Sequence, residues 1–189
     1  MATMMVISML KRFKAILGFN QLFFNLPIHK QPLYLTTQKM TFKLAKADLT
    51  HLDALMIAQS KIYQNSPWDK YAFKQELLNT HRRLYLALFD QRELIGYIGI
   101  KFTPAFREAH ITNVGIIPDY QNQHLGQYLI HLVCDYAKQL RLDKVSLEVR
   151  VDNQKAQYIY QKMGFEKVRI RKNYYYFEKI DGVTMVKPL

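Results

Sequence analysis

The chain has 189 residues, 49% of them apolar and one of them cysteine. That suffices for one domain with a sizeable core and a short appendage, and excludes two full domains. The lone Cys134 excludes an internal disulfide and fits a reducing, cytoplasmic setting, while the net charge of +12 favours polyanions such as nucleic acid, phosphorylated cofactors or an anionic membrane face.

Residues 1–40 carry Lys11, Arg12, Lys14, Lys30 and Lys39 and no acid, so they read as a basic N-terminal extension. The apolar stretch from Met4 to Phe24 is interrupted by Lys11, Arg12 and Lys14, which leaves no uninterrupted membrane span. Its charges follow the first apolar residues and no Ala-x-Ala site comes after, unlike a signal peptide. Met9, Phe13, Ile16 and Leu17 fall at helical spacing and predict a weak amphipathic helix. Pro27 and Pro32 punctuate a linker, and a domain of residues 41–189 is expected to begin near residue 40. The extension is then expected to be dispensable for folding.

Thr41–Ala45 alternates like a strand. Asp48 or Thr50 can cap a helix over about Asp53–Lys61 that places Leu52, Leu55, Met56 and Gln59 on one side. Ser66-Pro67-Trp68 breaks the chain before a second helix over about Lys70–Leu78. Leu84–Phe89 and Leu94–Ile100 are strands joined by a turn at Asp90–Glu93. His110–Ile117 is a strand stopped by Pro118. Leu129, Leu132, Val133, Tyr136 and Leu140 mark a long helix, and Cys134 lies in it as a core residue rather than a nucleophile. Val145, Leu147, Val149 and Val151 alternate with Ser146, Glu148 and Arg150, so the next strand has one apolar and one polar face. Asn153 caps a helix that runs through Met163, with Gly164 supplying its left-handed end. Tyr174–Glu178 and Val183–Val186 predict a hairpin turning at Asp181-Gly182. The order predicts an α/β (α+β) fold with a mixed sheet.

The segment from Asn113 to Gly126 passes from a strand through a short loop into the long helix. The first N–H groups of a helix lack internal partners and the dipole there favours anions, so a diphosphate can seat on them. Gln121-Asn122-Gln123-His124-Leu125-Gly126 resembles the acetyl-CoA motif of the GNAT superfamily, Gln/Arg-x-x-Gly-x-Gly/Ala, with His124 in place of the first glycine. Leu147-Glu148-Val149-Arg150 and the run Asn153, Ala156, Tyr160, Gly164, Phe165 resemble the family's penultimate strand and following helix, in order and at its spacing. The resemblance covers about residues 41–189. It implies a mixed, mostly antiparallel central sheet flanked by helices, and acetyl-CoA as cosubstrate.

Ser66-Pro67-Trp68, Pro118–Gln121 and Arg171–Tyr175 ahead of Asp181-Gly182 are most similar to the RimI type. This type acetylates the N-terminal alanine of a small-subunit ribosomal protein. The resemblance then implies Glu148 as general base and Tyr160 as general acid. It implies acetyl-CoA contacts at Val114, Gly115, Ile116, Asn122, Gln123, His124, Leu125, Gly126, Gln127 and Asn153. From the residues alone Glu148 reads equally as a solvated or Arg-paired carboxylate, Tyr160 as a core tyrosine, and Asn153 as a helix cap. An α-amine near pKa 7.7–8.0 is easier to neutralise than a lysine near 10.4, by about 3 kcal/mol.

Two rival readings remain open at this point. One is an acetyltransferase for a small amine such as a polyamine or aminoglycoside. The other is an inactive module of the same shape whose basic surface contacts RNA or the ribosome, with Tyr174–Tyr176 beside Arg169, Arg171 and Lys172 stacking on bases. No metal is expected, because the six histidines form no His-x-x-x-His pair or Cys/His cluster.

Overall fold

The structure is a computed structural model that describes residues 23, 26, 28, 32–36, 40–63 and 68–189. The amphipathic helix expected near residues 9–20 and the Ser66-Pro67 break lie outside the described residues. The described strands are β1 (Leu33–Thr36), β2 (Thr41–Lys46), β3 (Arg83–Asp90), β4 (Glu93–Thr103), β5 (Glu108–Ile116), β6 (Lys144–Arg150), β7 (Glu166–Tyr175) and β8 (Ile180–Pro188). The described helices are α1 (Leu52–Ile62), α2 (Lys70–Leu78), α3 (Leu125–Gln139) and α4 (Gln154–Lys162). The strands form one sheet in the order β1-β2-β3-β4-β5-β6-β8-β7, and only β5 and β6 pair in parallel. The expected mixed, mostly antiparallel sheet flanked by helices is what is found.

Local chemistry explains the elements. Asp48 Oδ1 accepts from Thr50 N at 2.9 Å and opens a 3-10 turn that leads into α1. Asp69 Oδ1 accepts from Ala72 N at 2.7 Å and starts α2. Positions Leu84–Leu88 of β3 and Leu94–Ile100 of β4 are all buried, so both faces of the sheet's centre are covered. α1 packs on β4 and β5, α2 on β3, and α3 across β4, β5 and β6. The core includes Phe42, Leu55, Phe73, Tyr97, Leu129 and Phe165, with Cys134 buried among apolar side chains as expected.

One pairing positions the site. β5 and β6 keep register only from Glu108 opposite Lys144 to Ile111 opposite Leu147. Beyond that both strands continue without pairing, so the sheet forks. The register shift between Gly99 and Ile100 leaves Thr112 as an extra residue on β5 at the start of the fork. A bulge of this kind re-aims the strand beyond it.

Two expectations change. The final hairpin turns at residues 176–179, not at Asp181-Gly182, which lie inside β8. Asp181 there takes Lys172 Nζ at 2.7 Å and Asn173 N at 2.9 Å. Gly182 is needed for a close approach, since a Cβ would sit 2.9 Å from Cβ of Tyr174. β7 begins at Glu166, before the expected Tyr174. Its first nine positions are all exposed, so the inside–outside pattern that marks a strand is missing.

The boundary expected near residue 40 falls within packed structure. β1 pairs with β2 from Leu33 opposite Leu44 to Thr36 opposite Thr41. Phe23, Leu26 and Ile28 are buried in the core, and the Phe23 ring meets Phe102 edge-on at 5.3 Å. These contacts favour counting Phe23, Leu26, Ile28 and residues 32–36 with the domain rather than with a separable extension. Each buried apolar side chain contributes about 1.5–3 kcal/mol, and each kcal/mol moves Tm by about 2–4 °C at this size. A chain beginning at Met40 is therefore expected to melt roughly 10 °C or more below the full chain in a thermal scan. Equal melting temperatures would show that the segment is dispensable after all.

Candidate active site

Two clefts meet at the fork. The first, of about 680 Å³, lies between the end of β5, the turn at residues 120–124, the first turn of α3, and α4. Of the ten expected cosubstrate contacts, Val114, Gly115, Ile116, Asn122, His124, Leu125, Gly126, Gln127 and Asn153 line it. Gln123 is exposed and does not line it. The N–H groups of Leu125, Gly126 and Gln127 precede the first intrahelical bond of α3, from Tyr128 N to His124 O at 2.9 Å. They form a cradle with the positive end of the helix dipole behind it. A Cβ on Gly126 would meet only Ile116 Cγ1, at 3.8 Å, so packing does not demand glycine there. Close approach by a ligand explains it better. Lys155 adds positive charge to the rim, and Ile116, Ile130 and Ile159 supply apolar walls. These residues fit a ligand with a diphosphate and an apolar arm.

His124 adopts φ 60° and ψ 8° as the N-cap of α3, and Asn122 has φ 59°. The turn therefore needs the left-handed conformation that a glycine supplies freely and that costs other residues about 1–2 kcal/mol. The His124 ring does not cap the helix. Its Nδ1 pairs with Gln127 Oε1 across the first turn.

The second cleft, of about 560 Å³, lies on the polar face of β5 and β6 and is closed by the end of β7 and the following turn. Glu148 lines it with a side chain only 7% exposed. Its Oε2 is 3.0 Å from His110 Nε2, and its Oε1 is 3.2 Å from Arg171 Nη1 and 3.3 Å from the Thr184 hydroxyl. Burial by itself would raise the Glu148 pKa, but His110 and Arg171 together outweigh it and hold the carboxyl below its usual range. The solvated alternative is thus excluded, and the Arg-paired one describes the geometry. A depressed carboxylate stabilises the fold above its ordinary pKa, and that contribution is lost as pH falls through the lowered folded value. Thermal scans from pH 7 to pH 3 are expected to show wild-type stability falling below about pH 4.5 more steeply than that of Glu148→Gln. Parallel curves would contradict this.

Tyr160, half-buried on α4, belongs to both clefts, as do Tyr63, Val114 and Asn153. Its ring packs near Phe165 at 6.1 Å, and burial pushes its hydroxyl up to about 12. That hydroxyl makes no hydrogen bond among the described residues. Asn153 is the helix cap expected of it, accepting from Ala156 N at 3.0 Å, and it also faces both clefts.

Sequence reasoning missed several groups. Tyr63, at the end of α1, closes both clefts and reaches Val114 O at 3.5 Å. His110 was legible as a strand residue on the polar side of β5, and its pairing with Glu148 needed the β5–β6 register. Arg171 and Tyr174 reach Glu148 from β7, with the Arg171 guanidinium 4.5 Å from the Tyr174 ring centroid. Lys155 follows two residues after the helix cap, a position open to a charge-facing ligand. Buried Gln59 ties the site's floor together, donating to Trp68 O at 2.6 Å and accepting from Tyr97 and Asn113 at 3.3 and 3.4 Å. Among the described residues no His/Cys/Asp/Glu group could hold a metal ion, and no helix is long and apolar enough to cross a membrane.

Comparison with known proteins agrees with this architecture. The model of the Acetyltransferase (GNAT) family matches residues 50–165. A Bacillus subtilis protein named for ribosomal protein bS18-alanine N-acetyltransferase activity is 39% identical over 120 residues, 64% of this chain and 78% of the relative. The N-alpha-acetyltransferase RimI of Mycobacterium tuberculosis is 34% identical over 143 residues, 72% of this chain and 87% of the relative. The crystal structure of the ribosomal-protein-S18-alanine N-acetyltransferase from Escherichia coli superposes with a TM-score of 0.70 at 25% identity, covering 78% of this chain and 93% of the other. The chain therefore belongs to the Acetyltransferase (GNAT) family and is an acyl-CoA-dependent N-acetyltransferase of the RimI type.

Proposed function

We propose that the chain transfers acetyl from acetyl-CoA to the N-terminal α-amine of a protein, with the N-terminal alanine of a small-subunit ribosomal protein as acceptor. Such an acceptor places the reaction in the cytoplasm. The observation that carries this reading is the fork itself, where Tyr160, Asn153, Val114 and Tyr63 line both clefts. A ligand in each cleft meets the other at Tyr160. When bound, acetyl-CoA supplies an acetyl group already activated as a thioester. The amide cradle of α3 and Lys155 hold its phosphates, and Ile116, Ile130 and Ile159 hold its apolar arm.

Glu148 collects the proton that leaves the α-ammonium, which frees the nitrogen lone pair for direct attack. Tyr160 carries the proton that the departing sulfur needs. Its elevated pKa keeps the hydroxyl protonated throughout the working pH range. No acyl-enzyme is required, because the buried Cys134 thiol, pushed up by burial, lines neither cleft.

The acceptor cleft argues against a polyamine. Its carboxylates are already matched: Glu76 pairs with Arg83, Glu178 with Arg150 at 3.3 Å, and Glu148 with Arg171. Lys101 adds a further cation to the same wall. A polycation would meet like charge there, whereas one α-ammonium needs only Glu148. Incubation with labelled acetyl-CoA and equal concentrations of an N-terminal-alanine peptide and spermidine tests the choice. Label in the peptide is expected, and label mainly in spermidine would overturn the reading.

The same site is expected to bind acetyl-CoA with His124 in place, because the amide cradle does not depend on that side chain. Calorimetry at millimolar ligand should show heat of binding, and the melting temperature should rise. A flat titration with no thermal shift would mean that the turn has lost its ligand.

A further inference from the structure

Behind Glu148 lies a line of side chains that the reaction as described above does not use. His110 Nε2 is 3.0 Å from Glu148 Oε2, and His110 Nδ1 is 2.7 Å from Ser146 Oγ. Ser146 in turn donates its hydroxyl hydrogen to Glu108 Oε1, and Lys144 Nζ stands 3.6 Å from Glu108 Oε2. Glu148 and Ser146 lie on the same face of β6, and His110 and Glu108 on the facing positions of β5, where the two strands still pair. The line runs from the buried Glu148 to Glu108 and Lys144, whose side chains are 23% and 40% exposed.

Hydrogen counting constrains this line. Serine has one hydrogen to give, and Ser146 gives it to Glu108. Its oxygen can then only accept from His110, so Nδ1 must carry a hydrogen. Nε2 and Glu148 Oε2 face one another at hydrogen-bond distance, and both are acceptors when neutral imidazole meets carboxylate. The pair can therefore hold one proton between them. Arg171 also holds Glu148 ionised, which makes the carboxylate a weak base by itself. Paired with an imidazole, it can take the proton of an α-ammonium.

We infer that His110 is a proton relay behind Glu148, and that Ser146 and Glu108 are positioning residues that hold its ring with the hydrogen on Nδ1. The inference rests on the α-amine reading. With that position empty, the acceptor ammonium loses one proton to the Glu148–His110 pair. The amine nitrogen then bonds to the acetyl carbon and the carbon–sulfur bond breaks. Tyr160 gives its proton to sulfur, and the nitrogen's second proton replaces it on Tyr160. The first leaves through the pair to solvent, one per turnover. The charged and titratable groups around His110 are Glu108 on its own strand, Lys101 opposite it on β4, Lys144 and Glu148 on β6, and Arg171 and Tyr174 on β7.

Two measurements on the full chain test the relay. Nitrogen NMR of the His110 ring, read at the pH where it is neutral, is expected to show hydrogen on Nδ1 in the wild type and a mixture of tautomers in Ser146→Ala. Hydrogen on Nε2 in the wild type would overturn the inference without reference to any acceptor. The pH profile of kcat/KM on an N-terminal-alanine peptide is the second. Ser146→Ala and Glu108→Gln each remove a partner in the line that holds the His110 ring. Each is expected to move the acid limb to lower pH by about half a unit or more. His110→Gln keeps hydrogen-bonding capacity but cannot carry a proton, and is expected to fall about 10²-fold and to lose that limb. Profiles superimposable on the wild type in all three variants would overturn the relay. Failure of the wild type itself to acetylate the peptide would count against the proposed acceptor instead, leaving the NMR result to decide His110.

Discussion

Glu148→Gln is expected to slow turnover by roughly 10²–10⁴-fold, the range for removal of a general base. Acetyl-CoA affinity should barely change, because Glu148 lines only the acceptor cleft. The side chain keeps its shape and can still bond Thr184, 3.3 Å away, so the loss falls on proton transfer rather than on packing. Raising the pH should recover part of the rate, since an α-amine near pKa 7.7–8.0 neutralises itself as the solution approaches that value. Rate constants measured from pH 6.5 to 9 check both points. A variant within threefold of wild type at every pH would remove Glu148 from the mechanism and leave it as the partner of Arg171.

Tyr160→Phe should show a different pattern, in which rate and stability separate. The hydroxyl makes no hydrogen bond among the described residues, so its removal should change stability by no more than about 1 kcal/mol. The ring, and with it the contact near Phe165, is retained. Turnover should nevertheless fall by about 10²-fold or more, as for loss of a general acid. The hydroxyl, pushed up to about 12, lies some 3–4 units above an ordinary thiol near 8.5. Complete early transfer of its proton is therefore uphill, and the proposed mechanism has Tyr160 donating as charge develops on sulfur. The same burial that raises the hydroxyl also penalises a thiolate left in its place. If Tyr160→Phe instead lowered the melting temperature and left the rate intact, Tyr160 would be a core tyrosine only.

The parts of this account that were legible in the sequence share one physical character: they are local. The cap at Asn153, the left-handed end at Gly164 with φ 87° and the strand-to-helix passage before α3 each need only neighbouring residues. Glu148 was visible because strand alternation put it on the polar face of β6. His110 and Arg171 were not visible as its partners, because their meeting depends on how strands far apart in the chain align, Arg171 lying 23 residues from Glu148. β1 was hidden by its length, four residues among turn-forming neighbours. β7 was hidden by exposure, since an edge strand with no buried face carries no periodic signal. The likeness to GNAT enzymes supplied roles for Glu148 and Tyr160. The structure adds that His110 and Arg171 hold the Glu148 carboxyl below its usual range.

The most direct test of the central proposal uses one peptide with an N-terminal alanine and an internal lysine, incubated with the protein and acetyl-CoA and sequenced by mass spectrometry. The acetyl group is expected on the α-amine, where deprotonation is about 3 kcal/mol easier than at a lysine. Acetyl found mainly on the lysine side chain would contradict it.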